Sequence, residues 1–177
     1  MRTAISLVVV ALGPAFALAD PPIKLHYVGE AKVSSADGKP LGSQVYLLEK
    51  TLDRDKATII ERVLIVREDG KSEAWTLRFA VKDDNTFTLT EDSKKAKGSG
   101  KLFGPAWKWT YFKATYKSTN GVQVEDENFM ADESFGTARQ KLTGADGKVF
   151  MYMYMDISLK GITPKTYEIL RAGLMKK

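Results

Sequence analysis

Cysteine is absent from all 177 residues, so the chain has no disulfide framework, no thiolate nucleophile and no thiolate metal ligand. The same absence removes the acylated cysteine that a lipid-anchored precursor carries at its cleavage site. Histidine occurs once, as His26; a single imidazole cannot make a His-rich metal site, and it serves a triad only with partners in reach. No G-x-S-x-G motif is present, and beyond the amino terminus no segment is apolar for the roughly 20 residues that a spanning helix needs. Covalent catalysis of the common kinds and a helical membrane anchor in the main body of the chain are therefore excluded.

The amino terminus carries a strong local pattern. Met1-Arg2-Thr3 is a short basic start, Ala4 to Phe16 is an apolar run interrupted by Gly13-Pro14, and Ala17-Leu18-Ala19 is an A-x-A cleavage site. Residues 1–19 read as a secretory signal peptide and 20–177 as one mature domain, periplasmic or secreted. A domain of that size buries roughly 70% of its unfolded-chain surface without staples. Zero cysteines in an exported chain fit a bacterial periplasm better than an animal extracellular fluid. The net charge of +5 is a mild bias, scattered along the chain, that favours solubility and peripheral contact with an anionic envelope surface.

Period-two alternation dominates 20–177 and is broken repeatedly by turn chemistry, which predicts an all-β, single antiparallel up-and-down β-barrel of about eight to ten strands. Leu25, Tyr27, Gly29, Ala31 and Val33 share a face before the Asp37-Gly38-Lys39-Pro40 turn. Val45 to Thr51 forms the next strand. Thr58 to Arg67 and Ser72 to Lys82 form the clearest hairpin around Glu68-Asp69-Gly70-Lys71, with Trp75, Leu77, Phe79 and Val81 on one face. Phe87 and Leu89 follow, then a strand near 100–103. Trp107, Trp109 and Tyr111 predict one inward phase and Phe112, Ala114 and Tyr116 the opposite one, a slip that reads as a β-bulge. Val122 to Met130, Ser134 to Thr143 and Lys148 to Ser158 complete the set. The tail fits either a short helix capped at Thr163-Pro164 or a closing strand over Tyr167 to Ala172; the strand is preferred, because closure removes open edges.

Several short motifs together resemble a family of bacterial lipocalin-like domains of unknown function, most of whose members are proteobacterial lipoproteins. They are Tyr27-x-Gly29, Asp37-Gly38-Lys39, Glu61 with Trp75 across the main hairpin, Gly104-x-Ala106-x-x-Trp109-x-Tyr111, Phe129-Met130 and Arg139. The likeness spans most of the mature chain. It departs from the family in lacking the lipobox cysteine and in a longer segment after Phe150. The resemblance implies a lipocalin-like barrel and an envelope location, with no established activity, and an inward polar contact between Glu61 and Arg139.

Other clusters have ordinary readings beside the functional ones. Gly98-x-Gly100-x-x-x-Gly104 precedes a strand, whereas a phosphate-cradling loop opens a helix, so these glycines fit barrel bends. Glu125, Asp126, Glu127, Asp132 and Glu133 offer oxygens for calcium, yet neighbours on a strand point to opposite faces. Met151, Met153 and Met155 are soft copper(I) ligands in type, but same-face neighbours stand roughly 7 Å apart and cannot converge on one ion unaided. Lysines interleaved with aromatics from Lys94 to Lys117 suit nucleic acid in a cytosolic protein and a solvated barrel wall in an exported one.

These readings point to a non-enzymatic binder, without cofactor or metal, of an apolar or amphiphilic small molecule such as a fatty acid or lipid. Its candidate ligand-binding residues are Glu61, Trp75, Phe79, Trp109, Tyr111, Arg139, Met151 and Met153 in the barrel interior. The alternative is a non-catalytic envelope protein with a filled barrel that acts through its surface. No nucleic-acid partner is expected, and the pattern leaves the oligomeric state open. Amino-terminal sequencing of the exported protein should begin at Asp20; soluble cytoplasmic protein retaining Met1 would contradict the leader.

Overall fold

The computed structural model describes residues 21–92, 96–103, 111–118, 121–131 and 134–175. Strong alternation and turn-forming Asp-Gly pairs give ten strands: β1 (Ile23–Ser35), β2 (Pro40–Asp53), β3 (Thr58–Arg67), β4 (Ser72–Val81), β5 (Thr86–Glu91), β6 (Ala96–Phe103), β7 (Tyr111–Ser118), β8 (Gln123–Met130), β9 (Phe135–Thr143) and β10 (Val149–Gly161). Each pairs antiparallel with its sequence neighbour, and β10 pairs with β1 from Tyr27 opposite Gly161 to Ser35 opposite Met153, which closes the barrel. The Asp69-Gly70 turn works because Gly70 takes φ 77°, a left-handed conformation that β-carbons disfavour.

One phase of every strand points inward and is nearly free of solvent. Its centre is aromatic: Phe87 and Phe112 stack with centroids 5.2 Å apart, and Phe79 meets Phe87 edge-on at 5.4 Å. Gly98 and Gly100 on β6 make this possible, since a β-carbon at either would collide with the β7 backbone, and one at Gly100 also with the Phe87 ring. The inner phase of β7 is Phe112, Ala114 and Tyr116, so Tyr111 faces outward, contrary to the inward placement expected for it. Trp107, Trp109 and the anticipated bulge lie outside the described residues.

The tail is a helix, α1 (Pro164–Leu174), and not the closing strand favoured from sequence. Closure by β1 and β10 leaves no open edge for the tail to cover, and local chemistry decides for helix. Thr163 caps it by accepting from the Thr166 N–H at 3.2 Å, and Pro164 occupies the first turn. Tyr167 of α1 buries its ring against Leu47 and Leu64 on the outer face of β2 and β3. A cross-strand ladder flanks that contact. His26 lies 3.3 Å from Glu49, Arg62 donates to Glu49 at 2.5 Å, and the His26 ring meets Tyr167 at 4.9 Å. The lone histidine thus has a structural place under the helix. No helix among the described residues is long and apolar enough to cross a membrane.

Candidate functional site

The barrel interior is not uniformly apolar. Lys50 of β2 and Glu61 of β3 stand opposite each other in register, both fully buried, with Nζ and Oε1 3.0 Å apart. Glu61 Oε2 has no hydrogen-bond partner. Burial pushes the Glu61 carboxyl above its usual range, and the neighbouring Lys50 charge only partly offsets that rise. A second polar group sits on β8 and β9, where Asp126 is opposite Gln140 and one inward position from Asn128. All three are buried, at 0%, 0% and 2% exposure.

Asp126 and Asn128 are poorly satisfied. Neither Asp126 oxygen and neither end of the Asn128 amide completes a hydrogen bond of good geometry. Burial holds the Asp126 carboxyl well above the usual carboxylate range, although the Gln140 and Asn128 side chains alongside pull it down. Burial raises the phenol of inward Tyr46, whose hydroxyl donates to Gln44 at 3.1 Å, and an ionised Asp126 would raise it further. Trp75 adds an indole Nε1 that is buried without a partner.

Of the eight candidates, Glu61, Trp75, Phe79, Met151 and Met153 belong to the inner phase, Phe79 and Met153 deeply buried and Trp75 and Met151 half-buried against the core. Trp109 lies outside the described residues. Tyr111 and Arg139 are on the outside. Arg139 is largely exposed and ion-pairs with Glu127, so the expected Glu61–Arg139 contact is replaced by Glu61 with Lys50 inside and Arg139 with Glu127 outside. The reason is parity: Ala138, Gln140 and Leu142 hold the inner phase of β9, which sends Arg139 to solvent. Glu125 and Glu127 likewise point outward, toward Lys141 and Arg139, while Asp126 points in, so these three acids are split between two faces; Asp132 and Glu133 lie outside the described residues.

No protein-family model matches the chain, and no curated protein matches it in sequence. Among solved structures it is similar to the S-type phycobiliprotein lyase CPES from Guillardia theta, with a TM-score of 0.51 and 8% identity over 78% of this chain and 87% of that one. The likeness is one of fold, an antiparallel β-barrel. A structural-genomics protein of unknown function from Bacteroides ovatus also aligns, with a TM-score of 0.31 and 13% identity, over 78% of this chain and 45% of that one.

In such a barrel the inner phase is where sequence and site meet, and alternation alone carried the signal for the residues that were missed. Val124, Asp126, Asn128 and Met130 form one phase, and Lys50 lies between Leu48 and Leu52 in another. Two outcomes test the arrangement. Glu61→Leu, which strands the Lys50 ammonium, should destabilise the fold by about 3–5 kcal/mol in urea, whereas Lys50→Met with Glu61→Leu should be neutral or stabilising and Arg139→Leu should change little. For Asp126 the folded-state proton affinity exceeds the unfolded one, so its stability contribution is complete at low pH and declines as pH rises above about 4. The stability of Asp126→Asn relative to the parent should therefore increase from acid to neutral pH; a flat difference would contradict a buried neutral acid.

Proposed function

We propose that the protein is an exported, non-catalytic carrier of a small amphiphilic molecule, fatty-acid or lipid-like, held inside the barrel. The Asp126–Asn128 group carries this reading. An unsatisfied buried polar group costs about 1–3 kcal/mol, and an apolar side chain of similar size at either position would avoid that cost. Polar groups kept inside at such a cost fit a partner that completes their hydrogen bonds. Burial favours the protonated form of Asp126, whose O–H is a donor, and the Asn128 and Gln140 amides supply both donors and acceptors, a set suited to a carbonyl, ester or carboxyl head.

The apolar part of the ligand would run against the core. Met130, Met153 and Met155 are unbranched and adaptable, so they are the side chains best able to make room for it. The end of the barrel where Trp75, Val122 and Met151 are only partly buried is the natural way in. The leader-like residues 1–19 and the likeness to bacterial lipocalin-like envelope domains support a periplasmic setting. The alternative of a filled, surface-acting barrel is favoured by one observation: the inward side chains at the centre are closed to solvent, so entry requires them to move.

A titration with palmitate and with cis-parinaric acid separates the two. The carrier reading predicts a saturable change in tryptophan emission and a rise in melting temperature, with about 2.7 kcal/mol of stabilisation at a hundredfold excess over Kd. Asn128→Leu should make the unliganded protein more stable by about 1–3 kcal/mol and weaken the response. A response absent for every chain length tried, in a folded protein, would leave the filled barrel as the function-bearing form.

A further inference from the structure

The outer face of the barrel carries a feature that interior binding does not use. Along β10, Phe150, Tyr152 and Tyr154 point outward with 54%, 42% and 40% of their surface exposed, alternating with the inward methionines. Monomeric proteins seldom leave such a row of rings bare without a use for it. Same-face neighbours on a strand stand about 7 Å apart, so the row extends roughly 13 Å along the strand. Two open concavities lie along it. One, of about 480 Å³, is bounded by Phe150 and Tyr152 with Ser35, Asp37 and Leu41 of the β1–β2 end. The other, of about 350 Å³, is bounded by Tyr154 with Tyr111, Glu127, Phe129, Arg139 and Asp156.

The polar groups beside the rings are fixed and of both signs. Tyr152 is opposite Lys141 and Tyr154 opposite Arg139 in the β9 register. Lys141 pairs with Glu125 at 2.8 Å, and Glu127 takes both Arg139 and Lys113, the latter at 3.1 Å. The Arg139 guanidinium holds the Glu127 carboxyl below its usual range, so it remains an acceptor, while a guanidinium has five N–H donors and one carboxylate cannot engage them all. Lys113, Arg139 and Lys141 match Glu125, Glu127 and Asp156 in number, so the face has no net positive charge to attract an anionic bilayer, and an apolar ligand would desolvate these charges without replacing their partners.

We propose that this outer face of β8–β10 binds an extended β-1,4-linked glycan. The pyranose rings of such a chain present apolar C–H faces, which suit amphipathic aromatic rings, and a rim of hydroxyls that both donate and accept, which suits alternating carboxylates and cations. The two concavities set along one row of rings fit a chain open to solvent on one side, not a ligand enclosed on all sides.

The test uses the mature protein with chitohexaose and cellohexaose in titration calorimetry, and with isolated peptidoglycan sacculi in co-sedimentation. At least one of these probes should bind. Chitohexaose or sacculi against cellohexaose distinguishes an amino-sugar wall polymer from a plain glucan. Tyr152→Ala with Tyr154→Ala, on the outside and away from the core, should weaken binding at least tenfold with the circular dichroism spectrum unchanged. Asp126→Leu, inside the barrel and lining neither concavity, should bind glycan as the parent does, so loss of the carrier reading and loss of this one are separable. No binding to any of the three probes, or binding that survives the double substitution, would overturn the proposal. So would a parent dimer that the double substitution converts to a monomer without any glycan binding, since the face would then be a contact between copies.

Discussion

Hydrogen bonding between β1 and β10 is the constraint on which the rest depends. It removes both free edges from a ten-stranded sheet and turns one phase of every strand into an interior. Once closed, the barrel makes parity decisive. A side chain on the inner phase loses most of its water, and its neighbour on the outer phase keeps more of it. The aromatic centre, the buried Lys50–Glu61 pair and the burial of Asp126 all follow from that one partition.

Closure also explains the role of the tail. With no edge to cover, residues after Gly161 were free to follow local preference, and a capped helix satisfied its own backbone while burying Tyr167 on the outer wall. The His26–Glu49–Arg62 ladder lies under it, so the only histidine is committed to packing and ion pairing on the outside. The molecule thus has an aromatic centre closed to solvent, a polar minority within it, and an outer wall divided between a helix-covered side and an open aromatic row.

Much of this was legible in the amino-acid order. The Glu68-Asp69-Gly70-Lys71 turn and the shared phase of Trp75, Leu77, Phe79 and Val81 specify the β3–β4 hairpin, and Met151 and Met153 fall on the inner phase as alternation requires. What failed was phase at irregular places. Tyr111 follows a Trp-x-Trp pattern but belongs to a strand whose inner phase is Phe112, Ala114 and Tyr116. Arg139 was placed inside through resemblance, against its own neighbours Ala138 and Gln140. Lys50, Asp126 and Asn128 were overlooked for the opposite reason, because charge and polarity suggest the surface while their phase puts them in the core. Pairing across strands, which brings Lys50 to Glu61 and Asp126 to Gln140, depends on register and is not written in any one segment.

The central claim is that unpartnered polar groups inside a closed barrel exist to meet a bound molecule. Native mass spectrometry of protein purified from its own host tests it most directly. The account predicts a small amphiphile retained by the parent at a defined mass and absent from Asn128→Leu prepared in the same way. A parent protein recovered only at the mass of the bare chain, folded and monomeric, would contradict it.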